Sequence, residues 1–316
     1  MKTPSYLQID ADVTLLSAFK TPARARYFFD MRDHDDYEKL REIALWAREN
    51  TLPMVMLGAG TNCLFAFDVF EGVIIRNRNT GWEEPFEQGG RVLLAVHSGS
   101  LSNTVAEKLY THYRIPTLVP WIGLPGTFGG ATIGNAGCFG VEMSDIFVST
   151  EVLDLETGEV HVWEPRDMHY AYRESALKGN ARYFVLSTII DISPRGGEYE
   201  TYTLENFRSI RRVKQPTGIS CGSFFTNTFP TEEQKTSLSE FLTPMGTLSS
   251  GRLIDHAGLK WTRVGWVKVS EQHGNFFIND QKWTWQDVLE LRDRVKKEIF
   301  EKYRVELHEE VRIITN

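Results

Sequence analysis

The feature that most constrains the fold of this 316-residue chain is the stretch 118–140, which contains seven glycines and two prolines. Both residue types disfavour regular helix and strand, so we predict a long irregular loop here. A long irregular loop inside a compact domain usually has a function. Because glycine in a regular element costs roughly 0.5–1 kcal/mol relative to alanine, contact with a ligand explains this density better than packing does.

A second glycine segment, Gly58-Ala59-Gly60-Thr61-Asn62, follows a short apolar stretch at 53–57 that is typical of a strand. Cys63 stands where the dinucleotide fingerprint needs its third glycine, and no Gly-Lys-Ser/Thr follows, so neither a Rossmann motif nor a Walker phosphate loop is predicted. One interpretation is a plain strand-ending turn. The other is an anion site built from backbone N–H groups, which together with 118–140 favours a ligand with a pyrophosphate.

The remaining patterns predict helices and strands in mixed order. Helices are expected at 37–50, at 101–113 with Ser102 as candidate cap, at 231–242, and from Thr284 with Asp287 completing a capping box. Strands are expected at 72–76, 92–96, 183–192 and 305–314, and a hairpin at 151–163. A change of composition at 193–197 predicts a domain boundary. The sequence therefore indicates an α+β protein with more than one lobe.

Composition limits the classes of partner. The net charge is −7, so neither nucleic acid nor an anionic membrane surface is expected to bind. Cys63, Cys138 and Cys221 are odd in number and far apart, which predicts no disulfide framework and favours a reducing compartment, the cytoplasm. No secretory signal or membrane-spanning run is expected. The eight histidines show no metal-binding spacing, so no metal is expected.

The two glycine segments resemble the flavin-binding part of the UDP-N-acetylenolpyruvoylglucosamine reductase family. The resemblance runs from about residue 18 to residue 314 and includes further motifs in the expected order. They are Tyr172-Arg173-Glu174-Ser175, Lys214-Gln215-Pro216, Cys221-Gly222-Ser223-Phe224-Phe225-Thr226-Asn227, Ile254-Asp255-His256-Ala257-Gly258-Leu259-Lys260, His273-Gly274-Asn275-Phe276-Phe277-Ile278-Asn279 and Leu307-His308-Glu309-Glu310-Val311-Arg312. Each motif alone is weak, but their common order is specific.

The resemblance implies an enzyme of peptidoglycan precursor synthesis that reduces UDP-N-acetylglucosamine enolpyruvate to UDP-N-acetylmuramate, using NADPH and bound FAD. The implied fold is a three-lobed α+β flavoprotein with an FAD-binding lobe pair of the vanillyl-alcohol-oxidase-like type. Lobe one would be residues 1–72 plus 305–316, lobe two 73–200, and the substrate lobe 201–304. The chain resembles the shorter subtype without a tyrosine lid insertion, and a monomer is expected.

The resemblance also assigns roles to residues. Ser223 would protonate C2 of the substrate, Arg173 would bind its carboxylate, and a buried, protonated Glu310 would donate a hydrogen bond to the enediol. Arg312 is expected on the same face as Glu310, where its charge would adjust the pKa of Glu310. Substrate contacts are expected from Tyr172, Lys214 and Asn227. The expected FAD contacts are Gly58, Ala59, Gly60, Thr61, Asn62, Pro125, Gly126, Thr127, Gly129, Gly130, Asn135, Gly137 and Gly140.

Several positions depart from the family pattern. Thr226 replaces a lysine and Thr228 a proline, Trp261 and Trp266 replace glycines, Lys268 replaces a small residue, and Cys138 and Cys221 replace alanines. Cys138 raises two interpretations, a covalent flavin link or a small side chain that fills a gap. Two other functions stay open at this point: an FAD enzyme of the same superfamily with a different substrate, and a flavin- or nucleotide-binding protein without catalysis.

Overall fold

The computed structural model describes residues 2–33, 35–195, 201–280 and 284–316. The helices are α1 Asp36–Glu49, α2 Ser102–Tyr113, α3 Phe128–Ile133, α4 Met143–Ile146, α5 Pro165–Met168, α6 Leu204–Lys214, α7 Glu232–Ser237, α8 Ser250–His256 and α9 Trp285–Tyr303. The strands are β1 Gln8–Asp12, β2 Arg24–Met31, β3 Met54–Leu57, β4 Cys63–Phe65, β5 Val69–Asn77, β6 Phe86–Gln88, β7 Arg91–His97, β8 Gly137–Cys138, β9 Val141–Glu142, β10 Phe147–Asp154, β11 Val160–Trp163, β12 Tyr183–Asp191, β13 Arg263–Val264, β14 Val267–Val269, β15 Phe277–Asn279 and β16 Arg312–Ile314. The predicted α+β class is confirmed.

The first sheet has the strand order β1-β2-β5-β3, with β1 antiparallel to β2 and the other neighbours parallel. The predicted helix α1 packs on this sheet through Leu40, Ile43, Ala44 and Ala47. Its apolar positions recur at the spacing of a helical face, which explains why the sequence located it. Strand β3 is paired to β5 along its whole length and delivers the chain directly into the first glycine segment.

The second sheet is antiparallel throughout and has the order β11-β10-β12-β7-β6. The hairpin predicted at 151–163 is formed by β10 and β11. Beyond the end of β7, the carbonyls of Ser98 and Ser100 accept hydrogen bonds from Gly129 N and Phe128 N, each at 2.8 Å. The sheet edge therefore holds the glycine-rich stretch by its backbone.

The prediction of an irregular loop at 118–140 is wrong in part. The stretch contains a 3₁₀ turn at Val119–Trp121, helix α3 and the first strand of the small β8–β9 hairpin. Thr127 caps α3 by accepting a hydrogen bond from Gly130 N, and Phe128 is fully buried. A Cβ on Gly129 would lie 2.7 Å from the Ser98 Cβ, so glycine is needed here for close packing inside a helix.

Two other helix predictions need correction. Ser102 is the first residue of α2 and not its cap, since Leu101 occupies the cap position without a side-chain hydrogen bond. The helix expected at 231–242 is the short α7 followed by a 3₁₀ turn, Ser239–Phe241. At α9, by contrast, the predicted capping box between Thr284 and Asp287 is confirmed.

A separate hydrophobic core surrounds α9 and the small sheet β13-β14-β15. The buried face of α9 consists of the four predicted residues Val288, Leu291, Val295 and Ile299. Phe224 and Phe225, which follow Ser223, pack in the same core, as does Val311 near the C-terminus. The Ser223 loop and the C-terminal segment thus share one hydrophobic support.

The chain-terminal strand is shorter than the sequence predicts, and one predicted lobe boundary falls inside a strand. The strand expected at 305–314 is limited to β16, which pairs in parallel with β4. The boundary placed at 72–73 falls inside β5, whose pairing with β2 continues to Asn77, and the three lobe ranges stay predictions. Residues 196–200, around the other boundary, lie outside the described residues.

Candidate functional site

The two glycine segments lie side by side. A Cβ on Gly58 would stand 2.1 Å from Thr127 Oγ1, and a Cβ on Gly126 would stand 3.1 Å from Thr61 Oγ1. Only a backbone without side chains at these two glycines permits this approach. Segment 58–62 and segment 125–130, which are far apart in sequence, therefore lie against each other and form one paired surface.

Two glycines of this surface, and Gly140 at the end of the glycine-rich stretch, adopt backbone conformations that other residues rarely take. The φ angles are +64° at Gly60, +114° at Gly126 and +82° at Gly140. At Gly60 a Cβ would also collide with the carbonyl oxygen of Leu16. Left-handed turns of this kind aim successive backbone N–H groups to one side, which suits an anionic ligand such as a pyrophosphate.

Arg173 is the centre of the charged part of the site. Its backbone is left-handed, with a φ of 59°, and its side chain is 19% exposed. Nη2 donates to Gly137 O at 2.8 Å, Nη1 donates to Asn135 O at 3.4 Å, and Nε donates to Glu310 Oε1 at 3.2 Å. The guanidinium thus joins the end of the glycine-rich stretch to the C-terminal segment.

Glu309 and Glu310 point in opposite directions, as expected for extended neighbours. Glu310 pairs with Arg173, whereas Glu309 pairs with Lys296 at 2.9 Å. Burial raises the pKa of Glu310, and the charge and hydrogen bond of Arg173 oppose this rise only in part. Burial also acts to raise the pKa of Glu309, but the hydrogen bond from Lys296 and the nearby charges outweigh it and hold that pKa below its usual value.

Ser223 is tied to Glu310 through the backbone. Gly222, with a φ of 81°, turns the chain before Ser223, and Glu310 N donates to Phe224 O at 2.9 Å. The buried Asn275 fixes the same loop from the other side, because its backbone carbonyl accepts from Phe224 N and its side chain bonds both N–H and C=O of Phe225. The sequence motif placed Asn275 near the site but did not reveal this role.

Asn62 links the first glycine segment to the acidic residue. Its Nδ2 donates to the backbone carbonyl of Glu310 at 2.9 Å, and its own carbonyl accepts from Arg312 N. The expectation that Arg312 shares the face of Glu310 is wrong. The chain bends at Val311, which breaks the alternation, and Arg312 is exposed with its Nη1 3.5 Å from Met56 O.

The predicted substrate residues are placed differently from one another. The Arg173 guanidinium lies over the Tyr172 ring at 4.9 Å, and burial raises the pKa of the Tyr172 hydroxyl. Asn227 Oδ1 accepts from Ser250 N at 3.2 Å, and the Asn227 backbone hydrogen-bonds to Tyr172. Lys214 is the last residue of α6 and is exposed. The structure thus brings Tyr172 and Asn227 to Arg173, while Lys214 faces solvent.

Asn135 is buried, with 2% exposure, and its amide is used within the chain. Nδ2 donates to Ala171 O at 2.9 Å, and Oδ1 accepts from Ser144 N at 2.9 Å. These bonds hold the segment that carries Arg173 against the glycine-rich stretch. Among the predicted FAD residues, Asn135 therefore acts through its position in the scaffold.

Two charged residues at the site were not identified from sequence. Glu142 Oε1 lies 3.5 Å from Arg173 Nη1, and Lys178 Nζ donates to Arg173 O at 2.7 Å. Glu142 belongs to the β8–β9 hairpin, whose formation the glycine content obscured. Lys178 follows Arg173 in a charged run and forms an ion pair with Glu174, with 2.6 Å between Lys178 Nζ and Glu174 Oε1.

Cys138 is held by its surroundings. Its Sγ donates to Pro120 O at 3.2 Å and receives a hydrogen bond from Arg211 Nη2 at 3.2 Å. Burial raises the pKa of the Cys138 thiol, and the nearby guanidinium of Arg211 only partly opposes it. A thiol with a raised pKa is a poor nucleophile, so the geometry favours the gap-filling interpretation over a covalent flavin link.

Two of the departures within residues 201–304, both tryptophans, lie on the surface, whereas Cys221 is buried. Trp261 and Trp266 are 61% and 49% exposed, and Trp261 has a left-handed backbone with a φ of 69°. Lys268 Nζ lies over the Trp261 ring at 5.3 Å.

None of the helices in the described part of the chain combines the length and apolar character needed to cross a membrane.

Comparison with known proteins agrees with this geometry. Residues 214–314 match the family described as the C-terminal domain of UDP-N-acetylenolpyruvoylglucosamine reductase, and residues 34–163 match an FAD binding domain family. The reductase of Chloroflexus aurantiacus is 31% identical and the match covers 98% of each chain. The chain belongs to the UDP-N-acetylenolpyruvoylglucosamine reductase family.

Other members of the family extend the comparison. The reductase of Gloeobacter violaceus is 31% identical, with a match that covers 98% of this chain and 96% of that protein. The crystal structure of the reductase from Thermus caldophilus is 25% identical, with a TM-score of 0.70, and the match covers 98% of this chain and 100% of that one. The expected flavoprotein fold is thus confirmed along nearly the whole length.

The paired glycine surface fits the FAD that the family uses. Backbone approach at Gly58 and Gly126, and left-handed turns at Gly60 and Gly140, are the features a pyrophosphate-bearing cofactor needs. Thr61 and Thr127 add hydroxyl groups at the same surface. Arg173 is joined through its bond to Gly137 O to the far end of this surface, so the charged group and the cofactor segments are mechanically connected.

We expect Gly58→Ala to lose most of its FAD affinity, because the added Cβ would stand 2.1 Å from Thr127 Oγ1 and separate the two segments. The double variant Gly58→Ala/Thr127→Ala removes that oxygen and should regain affinity relative to the single variant. Titration of FAD into flavin-stripped protein measures both, with Thr127→Ala alone completing the cycle. If the double variant binds as poorly as predicted from adding the two single effects, the contact between segments does not matter.

Proposed function

We propose that this protein reduces UDP-N-acetylglucosamine enolpyruvate to UDP-N-acetylmuramate at the expense of NADPH, as a step in peptidoglycan precursor synthesis. The observation that carries the proposal is the contact of Arg173 Nε with Glu310 Oε1, at 3.2 Å, set between the FAD segments and the Ser223 loop. Membership of the reductase family supports the same reaction. The site also holds the three residue types that the chemistry requires: a cation, a neutral donor and a proton donor.

The reaction adds a hydride to C3 of the enolpyruvyl group and a proton to C2. Bound FAD, reduced by NADPH, supplies the hydride, and the protein orients and polarises the substrate. Segments 58–62 and 125–130 would hold the cofactor. Negative charge develops at C2 and on the adjacent carboxylate, so the residues that face this group decide the barrier.

Arg173 is the proposed partner of the substrate carboxylate. A guanidinium keeps its charge at all relevant pH values and presents planar N–H donors, which suits a carboxylate. In the structure, Arg173 is held by Gly137 O and Asn135 O and stacks on Tyr172. This support fixes its orientation before a substrate arrives, and preorganised charge is worth more than charge that must reorient.

Ser223 is the proposed proton donor to C2. A serine hydroxyl is a weak acid, so it serves only against a strongly basic centre, and the enolate is such a centre. The turn at Gly222 and the bonds from Asn275 to Phe224 and Phe225 set the position of this loop. Tyr172, Asn227 and Lys214 are the proposed contacts to the remainder of the UDP-sugar.

Glu310 is the proposed neutral donor to the enediol. An ionised carboxylate beside the developing negative charge would repel it, whereas the protonated acid can donate a hydrogen bond. Burial of Glu310 favours the protonated form. The competing pull of Arg173 limits this effect, so the active form should be lost as pH rises through the raised pKa.

The compartment, the oligomeric state and the choice of substrate are proposed separately from the reaction. Cys63, Cys138 and Cys221 are free thiols, which supports a reducing compartment, the cytoplasm. A monomer is proposed as the working form. The exposed Trp261 and Trp266 leave a different substrate as the alternative for the third lobe, and binding of UDP-N-acetylglucosamine enolpyruvate to the purified protein decides between the two.

We expect the purified protein to carry FAD that is released on denaturation. The Cys138 thiol is engaged with Pro120 O and has a raised pKa, so it should not form a bond to the flavin. The measurement is an absorption spectrum of the folded protein, followed by acid precipitation and a spectrum of the supernatant. Colour that stays with the precipitate contradicts the non-covalent assignment, and folded protein that never binds flavin contradicts the proposed function.

Ser223→Ala should leave reduction of the flavin by NADPH nearly intact and slow reduction of the substrate roughly 10²–10⁴-fold. The reason is that protonation of C2 belongs only to the second half-reaction. Stopped-flow absorbance measures the two halves separately. Ser220→Ala is a matched control, because it removes a hydroxyl of the same loop that accepts from Gly222 N. Equal slowing of both halves in the Ser223 variant would show a different role.

Glu310→Gln should retain more activity than Glu310→Ala, because a neutral amide still donates a hydrogen bond. Removing such a donor outright costs roughly 2.7–4 kcal/mol in the barrier. In the wild type, the rate of the second half-reaction should fall as pH rises through the raised pKa of Glu310, because the protonated form is lost. Single-turnover oxidation of the reduced flavin across pH measures this fall.

The glutamine variant is also the test of the protonated state. Its amide does not titrate, so the alkaline fall should be absent. Glu309→Gln provides the control, since its carboxylate faces Lys296 and lies outside the pair with Arg173. The neutral-donor assignment is wrong if the glutamine variant is as slow as the alanine variant, or if its alkaline fall persists.

A further inference from the structure

Two glutamate carboxyl groups, and not one, contact the Arg173 guanidinium. Besides Glu310 Oε1 at 3.2 Å from Nε, Glu142 Oε1 lies 3.5 Å from Nη1. The Arg173 side chain is 19% exposed and both glutamate side chains are 24% exposed, so solvent screens the three charges only in part. One cation therefore faces two acids in a poorly solvated place, and it can neutralise only one of them.

We propose that Glu142 is a positioning residue that takes up the charge of Arg173 and so keeps the Glu310 carboxyl protonated in the working enzyme. With Glu142 ionised, the pair formed by Arg173 and Glu142 has no net charge. Ionisation of Glu310 would then add an uncompensated negative charge beside it. Two carboxylates that share one cation cannot both ionise easily. Burial raises the pKa of Glu310, so Glu310 is the one that stays protonated.

Glu142 is fixed in this place by the scaffold. Its Oε2 lies 3.4 Å from Asn135 Nδ2, and the same amide bonds Ala171 O and receives Ser144 N. Gly137 allows the close approach, because a Cβ there would stand 2.5 Å from the Glu142 Cγ. The short β8–β9 hairpin thus aims Glu142 at the guanidinium from the side opposite the C-terminal segment.

The other charged or titratable groups around the pair do not replace this effect. Lys178 acts to lower the pKa of Glu310 and is itself paired with Glu174. Tyr172 lies under the guanidinium with a raised pKa, so its hydroxyl stays neutral. Glu309 faces Lys296. Among the described residues, Glu142 is the second acid whose ion pair with Arg173 is seen.

The inference rests on the proposed role of Glu310 as a protonated donor. Glu142→Gln keeps the shape of the side chain and an oxygen that can accept from Asn135 Nδ2, but it removes the negative charge. The positive charge of Arg173 then acts on Glu310 alone. We expect the alkaline fall of the second half-reaction to move to lower pH by about one unit or more. At a pH below the pKa of Glu310 in both the wild type and the variant, the rate should stay within a few-fold of wild type. A general loss of structure would lower the rate at that pH as well.

A second readout does not depend on turnover. Titration of side-chain carboxyls in the FAD-bound protein by ¹³C NMR, with Glu310→Gln identifying the Glu310 signal, should show the same shift in Glu142→Gln. Glu309→Gln is the matched control and should move neither the profile nor the Glu310 signal. If Glu142→Gln does not hold FAD, Glu142→Asp keeps the charge at a greater distance and should give a smaller shift in the same direction.

The outcomes separate this inference from the function on which it rests. If Glu310→Gln abolishes the alkaline fall and neither Glu142 variant moves it, Glu142 does not balance the charge and the inference is wrong, while Glu310 remains the donor. If the alkaline fall persists in Glu310→Gln, the proposed role of Glu310 fails first. A fall that moves to higher pH in Glu142→Gln also overturns the inference.

Discussion

The site depends on the hydrogen bonds and charge contacts of the Arg173 guanidinium. It bonds Gly137 O and Asn135 O on one side and Glu310 on the other, so a single side chain connects the glycine-rich stretch with the C-terminal segment. Holding Arg173 requires a left-handed backbone, a conformation that costs of order 1–3 kcal/mol for a non-glycine residue. The surrounding bonds maintain that strain at a place where charge must be preoriented.

Backbone contacts do most of the remaining assembly. Gly58 against Thr127 and Gly126 against Thr61 bring two remote segments together, and in each contact a glycine backbone faces a threonine side chain. The Ser223 loop is joined to the C-terminal segment by Glu310 N bonding to Phe224 O. These joins depend on two glycine backbones, two threonine side chains and one main-chain hydrogen bond, so they are sensitive to substitution at those few positions.

The departures of this chain from the family pattern include exposed and partly buried side chains. Positions where this chain departs from the family pattern include Trp261 and Trp266, which are exposed on the third lobe, and Cys138, which fills space beside Arg211. Arg173 and Glu310 lie in motifs that resemble those of the family. None of the contacts described for the Arg173 guanidinium involves Trp261 or Trp266.

Local patterns in the sequence determined the amphipathic helix α1, the capped helix α9, the hairpin at β10 and β11, and the identity of the motif residues, because spacing and capping act over a few residues. They did not reveal α3 or the β8–β9 hairpin, since packing of Phe128 and Gly129 outweighs the low propensity of glycine. Only the tertiary structure placed Glu142 beside Arg173 and turned Arg312 away from Glu310. A bend at Val311 and a long-range ion pair depend on contacts between distant segments, which no local pattern records.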